Sequence, residues 1–233
     1  MRIHKWLSKT GYCSLRKAEE LIMQGRVYVN GERAQLGQDI DELNAEISIE
    51  GKVISSQKAE LAYFMLYKPA GIMCSNKRED DRSCLNDLES VKALGMKLSS
   101  VGRLDYFSEG LLLLTNDGEL CNKLMHPRYE IVKVYRVQSN QPLPTQAITE
   151  LKHGIELEDG PCSAEVSLVK NNTYDLRIHV GRNRIIRRIF EHYGLHVRRL
   201  VRLSVGPIQL DSRLKPGELR KLSEKELAAL KIL

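Results

Sequence analysis

What this 233-residue chain lacks narrows its class before any motif is read. No run of about 18 apolar residues occurs, so no membrane-spanning helix is expected, and the opening MRIHKWLSKTGYCS lacks the apolar stretch of a secretory signal. Five cysteines, at 13, 74, 84, 121 and 162, are odd in number and include no C-x-x-C pair, which speaks against a disulfide framework or a zinc site. Reduced thiols in a cytoplasm are the expectation. Internal repeats, low-complexity tracts, nucleotide-binding loops and metal motifs are also missing, so no cofactor and no metal is predicted.

What remains is ordinary globular material with a basic bias: 42% hydrophobic, 28% charged, and 36 Lys plus Arg against 30 Asp plus Glu, a net +6. Where the excess lies matters more than its size. Ile3, Trp6 and Leu7 share one helical face, and Leu15, Ala18 and Ile22 share another after a Ser14 N-cap, with Gly25 as the stop. RVYVNGERA then alternates and turns at Asn30-Gly31, the dipeptide best suited to a two-residue hairpin. Seven Lys/Arg against three Glu fall in residues 1–33, with Arg2, Lys5, Lys9, Arg16 and Lys17 on the polar faces of the two helices. A small helix-helix-hairpin domain over 1–50, a short polar linker over 51–60 and a larger domain over 61–233 follow from this pattern.

The larger part alternates strand-like and helix-like segments: LAYFMLY, a KPAG turn, GLLLLT, DGELCNKLMH, IVKVYRV, TYDLRIHV and RIIRRIFEHY. The expected class is α+β, a mixed, mainly antiparallel sheet flanked by helices, closed by a last helix that opens with a Ser223-x-x-Glu226 capping box.

Three features could carry chemistry. In GRLDYFSEGLLLLT the lone acid Asp105 either closes a turn or displays a carboxylate at the mouth of a rigid core. Tyr135 in KVYRV is either a packing aromatic or a ring offered to a ligand. The segment from 182 to 202 holds seven arginines, Arg182, Arg184, Arg187, Arg188, Arg198, Arg199 and Arg202, against the single acid Glu191. Such a concentration suits phosphate contacts or a carboxylate partner better than solvent alone.

These motifs carry a resemblance. IHKWLSKTGYCSLRKAEELIMQGRVYVNGE is similar to an S4-type RNA-binding domain, and GRLD with GLLLLTNDGEL, HPR, VKVYRV, GIELEDGP and GRNRIIRR resembles the RsuA/RluB family of bacterial ribosomal RNA pseudouridine synthases. The likeness spans nearly the full chain. It implies that Asp105 is the essential aspartate, that Tyr135 stacks on the target uracil and moves a proton, and that Arg187 holds the aspartate charged through opposite charge and a hydrogen-bond fork. It further implies that Lys68, Pro69 and Gly71 support the floor of the site, while Arg103, Leu104, Ile186 and Leu200 belong to the base pocket. Arg2, Lys5, Lys9, Arg16, Lys17, Arg182, Arg184, Arg188, Arg198 and Arg202 are the expected RNA contacts. Phe107 departs from the family, standing where a polar residue is frequent, and Arg184 stands where some relatives carry His.

The implied substrate is a uridine in ribosomal RNA or a ribosomal assembly intermediate, taken up by a monomer without cofactor. MHPRYEIVKVYRV and GIELEDGPC look more like the large-subunit branch of the family, with a small-subunit target as the alternative. A catalytically silent RNA-binding or ribosome-assembly protein is the rival of another class. An acid inside a basic cleft, which would repel phosphate, argues against it. A glycosidase would need two carboxylates around one bond.

Overall fold

The side chain of Ser14 accepts a hydrogen bond from the Lys17 amide, so the second helix starts where the sequence predicts. In the computed structural model, which describes residues 1–55, 60–76 and 80–233, helices α1 (Ile3–Lys9) and α2 (Leu15–Met23) pack on four short antiparallel strands. These are β1 (Val27–Val29), β2 (Glu32–Arg33), β3 (Ile47–Ile49) and β4 (Lys52–Val53), in the order β2-β1-β3-β4. Asn30 and Gly31 both take positive φ, 51° and 83°, as a two-residue hairpin turn requires. Ile3, Trp6, Leu7, Ala18, Ile22 and Val27 close the core.

β4 falls inside the segment 51–60 that was expected to be linker. It pairs with β3 through a second positive-φ turn at Glu50-Gly51, φ 50° and 78°. Glutamate has less tolerance than asparagine for the left-handed region, so the dipeptide carries a weaker hairpin signal. Residues 56–59 of that segment lie outside the described residues. By compactness the chain divides into Met1–Leu61 with Asn116–Gly118, and Ala62–Thr115 with Glu119–Leu233.

The large unit is α+β. Its elements in chain order are β5 (Tyr63–Lys68), α3 (Glu89–Lys92), β6 (Ser99–Val101), β7 (Glu109–Thr115), α4 (Gly118–Met125), β8 (Lys133–Ser139), α5 (Thr145–His153), β9 (Ile155–Leu157), β10 (Gly160–Cys162), β11 (Glu165–Lys170), β12 (Thr173–Ile178), α6 (Ile185–His192), β13 (Val197–Val205), β14 (Ile208–Gln209), β15 (Leu219–Lys221) and α7 (Glu224–Ile232). The main sheet runs β11-β12-β8-β13-β7-β5-β15, with β6 on β7 and β14 on β13. Among the described strands of this sheet, β7 and β13 pair in parallel and the other pairs are antiparallel.

The four leucines of β7 have a simple cause. Leu111 and Leu113 pack into a cluster with Met65, Leu124 and Leu230, while Leu112 and Leu114 pack into another with Phe64, Leu66 and Leu85. A strand buried on both faces reads as an unbroken apolar run. A third cluster, where α5 and α6 pack on β8, β12 and β13, holds Tyr135, Val137, Leu151, Leu176, Ile189 and Phe190. At the chain end Ser223 and Glu226 form the predicted capping box, and Arg220 bonds Glu226 and Asp211. Among the described residues no helix is long and apolar enough to cross a membrane.

Candidate active site

Loop 102–108 joins β6 to β7 and carries Asp105. Its backbone is held from several sides. Lys68, fully buried at the end of β5, donates from Nζ to Ser108 O at 2.8 Å, Pro69 O at 2.9 Å, Asp105 O at 3.3 Å and Tyr106 O at 3.4 Å. The Gly71 amide donates to Tyr106 O at 2.8 Å, and the Leu104 amide donates to Cys74 Sγ at 3.2 Å. Carbonyls thus surround an ammonium that has left water. Burial pushes Lys68 down to about 8, against the attraction of the Asp105 and Glu109 carboxylates. Burial likewise raises the Cys74 thiol above its ordinary value, which suits a neutral acceptor.

Arg202 grips the loop from the other side. It is only 2% exposed, and it donates from Nε to Leu111 O at 2.8 Å and from Nη1 to Arg103 O at 3.4 Å. Strand register explains how two buried cations share one loop. Lys68, Gly110, Arg202, Tyr135 and Leu176 are successive partners across β5, β7, β13, β8 and β12. Partners in one row face the same side of a sheet. Gly110 leaves that row open between Lys68 and Arg202. Its φ is +107°, and a Cβ there would collide with the Arg202 backbone, so the close β7–β13 approach requires glycine.

Arg187 on α6 meets the displayed carboxylate. Its Nε lies 3.9 Å from Asp105 Oδ2, with the two side chains 12% and 32% exposed. This corrects the expected fork: at 3.9 Å the pair is ionic without a hydrogen bond. The guanidinium instead donates from Nη1 to Val197 O at 3.2 Å and from Nη2 to Phe107 O at 3.5 Å. Burial and the nearby Arg184 lower the Arg187 pKa, while Asp105 opposes them. Leu104, Tyr135, Ile186 and Leu200 share one buried cluster, so the residue before Asp105 packs with the pocket residues that the resemblance names. Arg103 itself is exposed.

The expected RNA contacts separate into groups. Arg2, Lys5, Lys9, Arg16 and Lys17 are exposed on the small unit, and Arg184 and Arg198 are exposed on the large one, with Arg184 ion-paired to Glu191 at 3.5 Å. Arg182 and Arg188 converge on Asp159 at 3.0 and 2.6 Å, and Arg182 also bonds the backbone of Gly160 and Pro161, so both hold the β9–β10 hairpin. Arg202 is corrected: a buried guanidinium bonded to the main chain is no phosphate contact. The arginine run looked unbalanced because its acids, Asp159, Glu109 and Asp105, come from distant parts of the chain. Sequence reasoning missed Asp159, Cys74 and the grip of Arg202. Gly110, a glycine opening an apolar strand, was the one visible signal of a close approach.

The fold and the loop define a class, an S4 domain together with a pseudouridine synthase fold. The profile of the RNA pseudouridylate synthase family matches residues 62–192, and that of the S4 domain matches residues 1–47. A crystal structure of a pseudouridylate synthase is similar with a TM-score of 0.72 and 31% identity over 99% of both chains. A protein of Aquifex aeolicus named uncharacterized RNA pseudouridine synthase is 39% identical over 99% of this chain and 93% of its own. The ribosomal large subunit pseudouridine synthase B of Bacillus subtilis is 38% identical over 100% of this chain and 96% of its own. The chain belongs to the RNA pseudouridylate synthase family, and it is a pseudouridine synthase.

Proposed function

We propose that the chain converts a uridine of large-subunit ribosomal RNA, free or in an assembly intermediate, to pseudouridine in the cytoplasm, with Asp105, Tyr135 and Arg187 as its catalytic trio. The observation that carries this reading is Asp105 itself, a partly exposed carboxylate 3.9 Å from Arg187 on a loop fixed by buried donors. The large-subunit target rests on the relatives of Bacillus subtilis and Vibrio cholerae, each named ribosomal large subunit pseudouridine synthase B.

In the reaction the N1–C1′ bond breaks, the base turns, C5 bonds to C1′, and the C5 proton is lost while N1 gains one. Atoms balance without a second substrate. Asp105 attacks C1′ or removes the C2′ proton, and either route needs an ionised carboxylate, which a guanidinium at ion-pair distance favours. Tyr135 supplies an aromatic face for the uracil and a phenol for the C5 proton. Stacking on such a face, worth about 1–3 kcal/mol per base, offsets much of the few kcal/mol that unstacking the uridine costs.

The test is mass-spectrometric mapping of pseudouridine in ribosomal RNA from a strain lacking this chain. A large-subunit pseudouridine should disappear, return with the wild-type chain and stay absent with Asp105→Asn, a substitution that keeps size and removes charge. Restoration by the Asn variant overturns the role of Asp105, and a missing small-subunit pseudouridine overturns the target.

A further inference from the structure

Phe107 stands two residues after Asp105 and is 68% exposed, although Leu104 and Ser108 in the same loop are buried. An exposed apolar side chain is not in itself unusual, and what sets this ring apart is its place at the rim of the site, on the loop that carries the carboxylate. Nor is it a loose side chain. Its ring meets Tyr106 edge-on with centroids 4.9 Å apart at 79°, and the Arg82 guanidinium lies 5.7 Å from the Tyr106 ring centroid. Arg187 Nη2 holds Phe107 O at 3.5 Å, while Lys68 and Gly71 hold Tyr106 O. The backbone that aims the ring is the same backbone that aims the carboxylate.

We infer that Phe107 is a base-stacking wedge, packing against the RNA base next to the target uridine and filling the place the uridine leaves as it swings towards Asp105. The inference rests on the function proposed above. An enzyme that works on a base must take it out of the stack, and an apolar side chain inserted at the vacated step stabilises the opened RNA. Every base offers a π-face, so a phenyl ring serves whatever the neighbouring base is, which a small polar side chain would not do. Arg103, exposed on the same loop, suits a phosphate beside the extruded nucleotide.

The test uses the full chain and a hairpin from large-subunit ribosomal RNA carrying the mapped uridine, intact or with an abasic site on each side of that uridine. Single-turnover rates are measured for wild type, Phe107→Ala, Phe107→Trp and Asp105→Asn. Because Phe107 is exposed, the Ala variant should keep the wild-type Tm. On intact RNA it should lose about 10- to 100-fold in rate, the range expected when one stacked base is lost, and Trp should restore the rate. On the abasic RNA, where the wedge has nothing to pack on, wild type and Phe107→Ala should agree within about threefold. Equal losses on both RNAs would show that Phe107 only braces the loop, and no loss on intact RNA would remove it from recognition. Either outcome overturns the inference. Turnover by Asp105→Asn would instead strike the proposed function, whatever Phe107 does.

Discussion

In the small unit Arg2, Lys9 and Lys17 stay in solvent, paired with Asp39 at 3.2 Å, Glu42 at 3.6 Å and Glu20 at 3.0 Å. In the large unit Lys68 and Arg202 are withdrawn from solvent and give their donors to backbone carbonyls of the Asp105 loop and its strand. Exposed pairs of the first kind contribute little to stability and exchange readily for an RNA phosphate. Buried cations have no such freedom. Losing one would leave carbonyls without donors inside the protein, so their charge shapes the chain's own backbone.

The difference predicts a steep order of sensitivity. Lys68→Met should be the most damaging change: it takes a donor from four carbonyls, of which Tyr106 O and Asp105 O keep only the amides of Gly71 and Ser108, costs on the order of 3 kcal/mol, and lowers Tm by roughly 10 °C. Pseudouridine formation should fall about 100-fold as the aspartate loop loosens, because small misplacements of a reacting group are that costly. A variant with wild-type Tm and rate would place Lys68 among the dispensable cations.

Arg202→Met removes donors from two carbonyls, so its stability loss should be smaller, about 2 kcal/mol. Arg202→Lys, which keeps the charge and shortens the reach, should fall between Met and wild type. Thermal melts with amide exchange at Leu104 and Ser108 check this, and a loop as protected in the Met variant as in wild type would contradict it.

pH separates stability from activity. The Lys68 pKa is lowered from 10.5 to about 8 in the fold, so the cost of its buried charge is present in full below about 8. Between about 8 and 10.5 the unfolded chain binds more protons than the folded one, and the contribution of this group to stability rises with pH. A neutral amine offers fewer donors, so activity should decline across the same window. Parallel rate and denaturation measurements from pH 7 to 10 read this out, and an activity plateau to pH 10 would oppose it.

The smallest effects belong to the small unit. Lys9→Gln and Lys17→Gln together should shift stability by under about 1 kcal/mol and leave the rate on a short RNA unchanged. Affinity for a long ribosomal RNA fragment should drop, with the log–log salt slope shallower by up to roughly 2. An unchanged slope would mean that this helical face makes no phosphate contacts.

Much of the fold was legible because local signals and tertiary structure agree. The Ser14 cap, the Asn30-Gly31 turn, the buried Leu111–Leu114 strand and the Ser223–Glu226 capping box lie where the sequence puts them. Asp105 was legible too, as a carboxylate on a loop that leads into a strand with no solvent face. The fate of the arginines was not. Arg198 and Arg202 lie four residues apart in one basic run, one exposed and one buried, because the packed faces of β7 and β8 enclose Arg202. Asp159 and Glu109, which take up Arg188 and Arg199, come from 29 and 90 residues away.

By itself, then, the amino-acid order determines what depends on neighbours along the chain: periodicity, caps, turns and the residue types that chemistry requires. Tertiary structure alone decides which cations face water and which face carbonyls, since that depends on strands brought together from distant segments. The row Lys68–Gly110–Arg202–Tyr135 joins four strands, and Lys68 and Arg202 lie 134 positions apart in sequence. Only the folded sheet puts two buried positive charges on either side of a glycine, and only there is the Asp105 loop held in place.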